Sequence, residues 1–232
     1  MADPSLRKLI HARCVETCIT DLDGTASPIL ILAKYAMLWA TARKNDKMLT
    51  QLKELVDKIS SQSYQTTLLE FTQIMHGTPV RTFDQFCKNA INDCYPSFEK
   101  AVKQLHELGL RIYLSSLTTE YIARIVSTRF RLDDWTCFAY PSQVSLCEPV
   151  YVALDPGDPL LLNLDLYKLR ECKRKGWTNA KFLAIGDSQQ DLPLFEHSAI
   201  AIGMNPTIDY SFDLAIKNEA DPWRKLLQLL ED

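Results

Sequence analysis

One short run of residues limits what this chain can fold into: the sequence TDLDGT at residues 20–25. The apolar segment before it, residues 14–20, is dominated by β-branched side chains and predicts a short buried strand. The strand would deliver the carboxylates of Asp21 and Asp23 into a tight turn, which Gly24 permits because it lacks a Cβ. Two like charges this close repel, and a divalent cation would relieve that repulsion. Oxygen-only ligands favour Mg²⁺, so the run predicts a metal site; a simple Asp-Gly hairpin turn is the plainer alternative.

Two further apolar stretches end in polar side chains. Residues 181–186 lead directly into Asp187, and residues 110–114 lead directly into Ser115. Both stretches predict strands, and predicted helices separate them. In an open parallel sheet, ligands bind beyond the carboxyl ends of the strands, which is where all three motifs would lie.

These three strand ends, in this order, resemble the haloacid dehalogenase (HAD) superfamily. The resemblance covers most of the chain outside residues 29–92 and implies a phosphatase that uses Mg²⁺ and an aspartyl-phosphate intermediate. It implies that Asp21 is the nucleophile, since a carboxylate can attack phosphorus. Asp23 would be the general acid, which protonates the leaving oxygen and later deprotonates water. Dehalogenases of this fold lack an aspartate at the second position, so Asp23 favours phosphoryl chemistry.

The metal ligands implied by the resemblance are Asp21, Asp23 and Asp187. Asp191 follows Asp187 by four positions and would hold the water shell of the metal or a neighbouring lysine. The alternative for Asp191 is an N-terminal helix charge that the helix dipole favours.

Two residues are expected to bind the phosphoryl group. Ser115 would donate to a phosphoryl oxygen, and the adjacent Ser116 is its rival, because alternation along a strand points the two to opposite sides. Lys168 is the candidate for the family's motif lysine, which neutralises the nucleophile and the phosphoryl group. Lys173 and Lys175 lie nearer the end of the predicted helix and are expected to be solvated. The alternative for Lys168 is a surface lysine that forms ordinary helix pairs.

The distribution of strand and helix patterns predicts the organisation of the chain. Alternating strands and helices indicate an α/β fold with a doubly wound, Rossmann-like parallel sheet. Residues 29–92 show only helical periodicity, with a fourth helix opened by a capping box of Thr82 and Gln85. We therefore expect a HAD-like core at residues 1–28 and 93–232, and an all-helical cap at residues 29–92.

The cap is expected to select the substrate by closing over the site and excluding water. Phosphoserine phosphatases, which the core resembles, hold the amino acid with charged cap groups, but residues 26–31 contain no acid. A stretch with Tyr35, Met37 and Trp39 could wall a pocket for an apolar or aromatic leaving group; the alternative is that it forms the cap's own core. The expected substrate is a phosphorylated small molecule or a phosphotyrosyl protein, with aryl phosphates preferred.

Composition restricts the partners. A net charge of −3 gives no reason to expect nucleic acid binding. The longest apolar stretch, residues 28–42, is shorter than the roughly 20 residues of a membrane span, and the N-terminus lacks a signal-peptide pattern. Seven scattered cysteines without Cys-x-x-Cys spacing argue against zinc and favour the reducing cytoplasm. The sequence leaves the oligomeric state open.

Two other functions remain open at this point. A phosphotransferase or mutase would use the same site residues, and assays with water and with acceptor alcohols would separate it from a phosphatase. A binding module with a relic site would hydrolyse none of a broad panel of phosphoesters.

Overall fold

The computed structural model describes residues 5–59, 63–145, 147–162 and 164–231. Six parallel strands form its central sheet: β1 (Thr17–Thr20), β2 (Arg111–Ser115), β3 (Asp134–Thr136), β6 (Phe182–Gly186), β7 (Ile200–Met204) and β8 (Leu214–Ile216). Two short strands, β4 (Ser142–Gln143) and β5 (Val150–Tyr151), form a separate antiparallel pair.

The order of the strands confirms the predicted doubly wound α/β sheet. Across the sheet the order is β3-β2-β1-β6-β7-β8, so the chain moves outward in one direction from β1 and in the other from β6. Thr20 at the end of β1 pairs with Ile185 of β6 on one side and with Leu114 of β2 on the other. Ligands of such folds bind where the order reverses, which here is the carboxyl end of β1 and β6.

Eleven helices were assigned in the described part of the chain. They are α1 (Leu6–Ala12), α2 (Ile31–Ala42), α3 (Asp46–Lys58), α4 (Tyr64–Met75), α5 (Val80–Phe86), α6 (Phe98–Glu107), α7 (Glu120–Phe130), α8 (Pro159–Leu162), α9 (Tyr167–Arg174), α10 (Leu192–His197) and α11 (Pro222–Glu231). Short 3-10 segments at Cys87–Asp93, Leu164–Leu166 and Gln189–Asp191 follow α5 and precede α9 and α10.

Alternate residues of each strand point to opposite faces of the sheet, as the two-residue period of a strand requires. Cys18 and Leu183 pack into the cluster that contains α1, α6, α7 and α11. Ile19 and Ala184, their neighbours in sequence, pack into a second cluster with Leu169 of α9. Helices therefore cover both faces of the sheet, and this is why its strands are apolar throughout.

The first strand is shorter than predicted. Residues 14 and 15 close α1 instead: the backbone N–H groups of Cys14 and Val15 donate to the carbonyls of His11 and Ile10. Cys14 has φ of 53°, which is left-handed rather than extended. The last carbonyl groups of a helix have no partners within the helix, and the N–H groups of these two residues supply the donors. These residues therefore do not extend the strand.

The predicted capping box at Thr82 and Gln85 is wrong. Thr82 lies inside α5, whose N-cap is Pro79, and its backbone N–H and hydroxyl both donate to the Glu148 carboxylate. The true partner is 66 residues away in the chain, so local spacing could not reveal it.

Helices α2 to α5 occupy the stretch predicted as an all-helical cap, and no strand was assigned among its described residues. Buried residues of this stretch, such as Ile31 and Phe83, belong to the same apolar cluster as the sheet residues Cys18 and Leu114. Residues 77–80 also form backbone hydrogen bonds to residues 149–151. The division into core and cap therefore stays a prediction; we refer to residues 29–92 as the helical insertion.

Two further features of the described structure concern membrane-spanning helices and the cysteines. Within the described ranges, no helix is long enough and apolar enough to cross a membrane. All seven cysteines are free thiols.

Candidate active site

The sheet brings the three predicted motifs to one edge. Asp21 immediately follows β1, and its backbone N–H donates to the carbonyl of Ile185 in β6 at 3.0 Å. Asp187 immediately follows β6, and Ser115 is the last residue of β2. Because β1 lies between β2 and β6, Asp21 stands at the centre of this edge.

Two glycines allow the carboxylates to pack against the backbone. Gly24 has φ of 79°, and a Cβ at this position would overlap the carboxylate of Asp187. A Cβ at Gly186 would overlap the carboxylate of Asp191 in the same way. Both positions therefore require glycine because the backbone lies against a carboxylate, not only because a turn is present.

Lys168 contacts two of the aspartates at this edge of the sheet. It is the second residue of α9 and is only 3% exposed. Its Nζ lies 2.8 Å from Oδ1 of Asp21 and 2.7 Å from Oδ1 of Asp191. Lys173 and Lys175 are exposed. Of the three lysines considered from the sequence, the structure thus brings Lys168 to the nucleophile candidate.

Asp191 organises the loop after β6. Its Oδ1 accepts from Lys168, while its Oδ2 accepts from the backbone N–H groups of Asp187 and Ser188 at 3.2 and 3.3 Å. Ser188 and Asp191 form a capping box that opens the 3-10 turn before α10. Asp191 therefore holds both the lysine and the position of Asp187, and the helix-charge alternative describes only part of its contacts.

The charges of this cluster shift the pKa values of its members. Burial raises the pKa of Asp21; the Lys168 charge opposes this shift and the Asp191 and Asp187 charges add to it, so the pKa stays well above its usual range. Burial, with the charge of Asp191, raises the pKa of Asp187 to about 7. Burial alone would lower the pKa of Lys168, but its ion pairs with Asp191 and Asp21 outweigh that effect and raise it. The lysine is therefore charged, and the site carries more negative charge than it can compensate.

The carboxylates of Asp21, Asp187 and Asp191 could together hold a metal ion, since one ligand atom of each lies within 4.8 Å of the others. This donor set fits Mg²⁺, because all its atoms are carboxylate oxygens and the excess negative charge needs a cation. Asp23 is not in the group found among the described residues, so its predicted role as a metal ligand has no support from this grouping and stays a prediction.

Asp23 instead faces the helical insertion. Its Oδ1 accepts from the backbone N–H of Ile31 at 2.8 Å, at the start of α2. Burial raises the pKa of Asp23 to about 6, although this hydrogen bond and the charge of Lys168 act in the opposite direction. A carboxyl group with this pKa can hold a proton and release it near neutral pH, which suits a general acid.

The two serines after β2 differ in their contacts. Ser116 accepts from the backbone N–H of Thr118 at 3.2 Å, so its hydroxyl already stabilises the loop. The Ser115 hydroxyl is buried beside the Cys172 thiol, a weak partner, and makes no other hydrogen bond to a described residue. The Thr118 hydroxyl is also buried without a partner among the described residues. Sequence reasoning missed Thr118, although a second hydroxyl three residues after Ser115 was visible.

An apolar cavity of about 80 Å³ opens beside Asp23. It lies between α2, α3 and α4, and its wall includes Leu32, Ala33, Leu55, Tyr64, Leu68, Leu117 and Tyr140. Its volume exceeds that needed for a single water molecule several-fold, and few polar groups line it. The sequence indicated an apolar wall in this part of the chain but missed most of the residues that form it.

Tyr35 and Trp39, which the sequence suggested as part of that wall, do not line this cavity. Both are buried against other rings: Tyr35 contacts Phe86 edge to face, and Trp39 contacts Phe83 and Phe86. Their role as a substrate wall is therefore wrong, and the alternative of packed helical core is correct. Aromatic pairs of this geometry stabilise the fold by about 0.5 to 1.5 kcal/mol each.

Several solved structures have a fold similar to that of this chain. No family model and no curated protein matches the sequence. A phosphoserine phosphatase from T. onnurineus is 18% identical, with a TM-score of 0.61 over 93% of this chain and 94% of that one. A phosphoserine phosphatase solved as a phospho-aspartyl intermediate analogue is 15% identical, with a TM-score of 0.66 over 92% and 98%. A HAD family hydrolase from Salmonella enterica serovar Typhi is 16% identical, with a TM-score of 0.68 over 98% and 79%.

The chain therefore has the fold of the HAD superfamily phosphatases, and the resemblance stated from its motifs is confirmed at that level. Its particular structural neighbours include phosphoserine phosphatases. The catalytic, phosphate-binding and metal-binding roles of the individual residues remain predictions.

Lys168→Met should destabilise the fold strongly. The substitution keeps most of the side-chain volume but leaves two buried carboxylates without their cation, which typically costs about 3 to 5 kcal/mol. Urea unfolding at neutral pH would measure this loss. Lys175→Met is the control, because its ion pair with Asp134 is partly exposed and should be worth less than about 1 kcal/mol. Equal losses in the two variants would contradict the buried ion pairs of Lys168.

Proposed function

We propose that this chain hydrolyses phosphate monoesters in a Mg²⁺-dependent reaction through an aspartyl-phosphate at Asp21. The observation that carries the proposal is the contact of the buried Lys168 with both Asp21 and Asp191 at the carboxyl ends of β1 and β6. A cation at that place serves the needs of phosphoryl transfer, which are to orient a nucleophile and to neutralise the phosphoryl oxygens.

The reaction would proceed in two halves. In the first, a carboxylate oxygen of Asp21 forms a bond to phosphorus while the bond to the leaving oxygen breaks, and Asp23 gives that oxygen its proton. In the second, Asp23 takes a proton from the water that attacks phosphorus, and Asp21 leaves as a free carboxylate with release of phosphate. Lys168 and the Ser115 hydroxyl would stabilise the charge on the phosphoryl oxygens throughout.

The metal would be held by Asp21 and Asp187, with Asp191 within reach of the same ion. When bound, Mg²⁺ would neutralise charge on the phosphoryl group and on the carboxylates. The pKa values of Asp21 and Asp187 are raised mainly by burial and further by the neighbouring carboxylates, and a bound cation would offset both effects. The backbone N–H of Asp187 donates to the Asp191 carboxylate, and the Thr25 hydroxyl donates to the Asp187 carboxylate, so the ligand position exists before the metal binds.

The relic-site alternative loses support from the position of Lys168. A binding module would have no need for a buried lysine paired with the predicted nucleophile, since burying these charges costs free energy. A phosphotransferase or mutase would use the same residues, and only the acceptor would differ.

Removal of the metal should abolish hydrolysis. We expect an excess of chelator to eliminate release of phosphate from phenyl phosphate, and added Mg²⁺ to restore it, because the carboxylates would otherwise repel the substrate. Circular dichroism during the same titration is the control that the fold survives. Full turnover in excess chelator would exclude the metal from the mechanism; turnover only with acceptor alcohols would favour a phosphotransferase.

The cavity beside Asp23 supports a preference for apolar leaving groups. A general acid must lie within hydrogen-bond reach of the leaving oxygen, so the group attached to that oxygen would extend into the cavity that Asp23 lines. Burying an aromatic ring there would contribute about 2 to 3 kcal/mol. If the contact persists in the transition state, this is roughly a 30- to 150-fold preference. Aryl phosphates such as phosphotyrosine are accordingly the proposed substrates.

Ala33→Phe should reduce this preference. The added ring would fill part of the cavity, so kcat/KM for phenyl phosphate should fall by about tenfold or more relative to that for phosphoserine. Comparing the ratio with that of the wild type cancels the greater intrinsic reactivity of aryl esters. Thr41→Phe, which adds the same ring to the exposed side of α2, is the control. An unchanged ratio in Ala33→Phe would show that the leaving group lies elsewhere.

A further inference from the structure

Tyr64 belongs to the helical insertion and lines the cavity beside Asp23. It is the first residue of α4, and the N-cap of that helix, Ser63, accepts from the backbone N–H of Thr66 at 3.2 Å. This cap fixes where α4 begins and therefore where the Tyr64 side chain leaves the backbone. Tyr64 and Asp23 line the same cavity.

The charged groups of the site act on the Tyr64 hydroxyl. Burial raises the pKa of its hydroxyl, and the negative charges of Asp23, Asp21 and Asp191 raise it further, whereas Lys168 opposes the shift. All four belong to the site at the carboxyl ends of β1 and β6. The phenol therefore stays neutral and keeps its proton, so it can act as a hydrogen-bond donor across the physiological pH range.

Tyr140 also lines the cavity, but its hydroxyl already has a hydrogen-bond partner. The Tyr140 hydroxyl donates to the carbonyl of Leu117 at 2.9 Å. The Tyr64 hydroxyl forms no hydrogen bond with any residue in the described ranges. Tyr64 is half-buried, and a hydroxyl that lines a site without a protein partner is free to donate a hydrogen bond to a bound ligand.

A bound phosphoryl group would supply such acceptors. Its oxygens carry the charge of the transition state, and they would lie among four carboxylates that repel them. On the sheet side, the proposed donors are Lys168, which contacts Asp21, and the hydroxyl of Ser115, the last residue of β2. The insertion side of the site is covered by an otherwise mainly aliphatic wall.

We propose that the Tyr64 hydroxyl donates a hydrogen bond to a phosphoryl oxygen of the substrate, so that the helical insertion supplies a substrate contact as well as a cover. The inference rests on the proposed function, because it concerns the same site. It assigns the phosphoryl group to Tyr64 and leaves the apolar leaving group to the aliphatic wall, and these two parts can be tested separately.

The test is Tyr64→Phe, which removes only the hydroxyl. Loss of a hydrogen bond to a charged oxygen should lower kcat/KM by about 10- to 100-fold. The loss should be the same for phenyl phosphate and for phosphoserine, because both carry the same phosphoryl group. Binding of inorganic phosphate in the presence of Mg²⁺, measured by calorimetry, should weaken by about tenfold or more.

Tyr35→Phe is the matched control. It removes a phenol hydroxyl from the same insertion, but the Tyr35 ring packs against Phe86 and does not line the cavity. We expect its activity and phosphate affinity to stay within threefold of the wild type. Thermal unfolding of both variants would show whether either change acts through the fold.

Each outcome distinguishes this inference from the function on which it rests. If the wild type is active and Tyr64→Phe stays within threefold in both assays, the contact is refuted and the phosphatase stands. A loss confined to phenyl phosphate would also refute it, because Tyr64 would then contact the leaving group. A wild type that binds phosphate through Tyr64 without hydrolysing esters would uphold the contact and refute the function. A wild type that neither binds phosphate nor hydrolyses esters would refute both.

Discussion

Lys168 is a cation withdrawn almost completely from water, and two carboxylates, Asp21 and Asp191, hold it there. Taking such a charge out of water costs several kcal/mol, which only close and well-oriented partners can offset. Helix α9 must therefore lie against the end of the sheet, and the loop after β6 must turn back toward it. Gly186 makes that turn possible by leaving room for the Asp191 carboxylate. The residues proposed for phosphoryl transfer are thus positioned before a substrate arrives, which is what electrostatic catalysis requires.

The fold and the strand-end aspartates could be predicted because their signals are local. An apolar β-branched run followed by Asp21, or by Asp187, specifies a strand and its end within a few residues. The sheet order then brings those ends together without further information from the side chains. Predictions failed where a distant residue supplied the partner. Thr82 looked like a helix cap but bonds to Glu148. Cys14 is a different case: its partner, His11, is local, but the β-branched pattern of the strand continued across a helix end.

The helical insertion was harder to interpret for a different reason. Helical period shows which residues share a face, but it does not show what that face meets. Trp39 therefore suggested a substrate wall, whereas its ring packs against Phe83. The cavity is instead assembled from separate segments, with Ala33 from α2 and Leu117 from the loop after β2. No spacing rule joins such residues, so only the packed structure could identify them.

The most direct test is whether phosphate becomes covalently attached to the chain. The protein would be mixed with phenyl phosphate and Mg²⁺, quenched in acid within the first turnovers and analysed by mass spectrometry. We predict the added mass of one phosphoryl group on the peptide that contains Asp21, its loss on base treatment, and its absence from Asp21→Asn. Steady hydrolysis by Asp21→Asn, or a phosphoryl group attached to a different residue, would contradict the account.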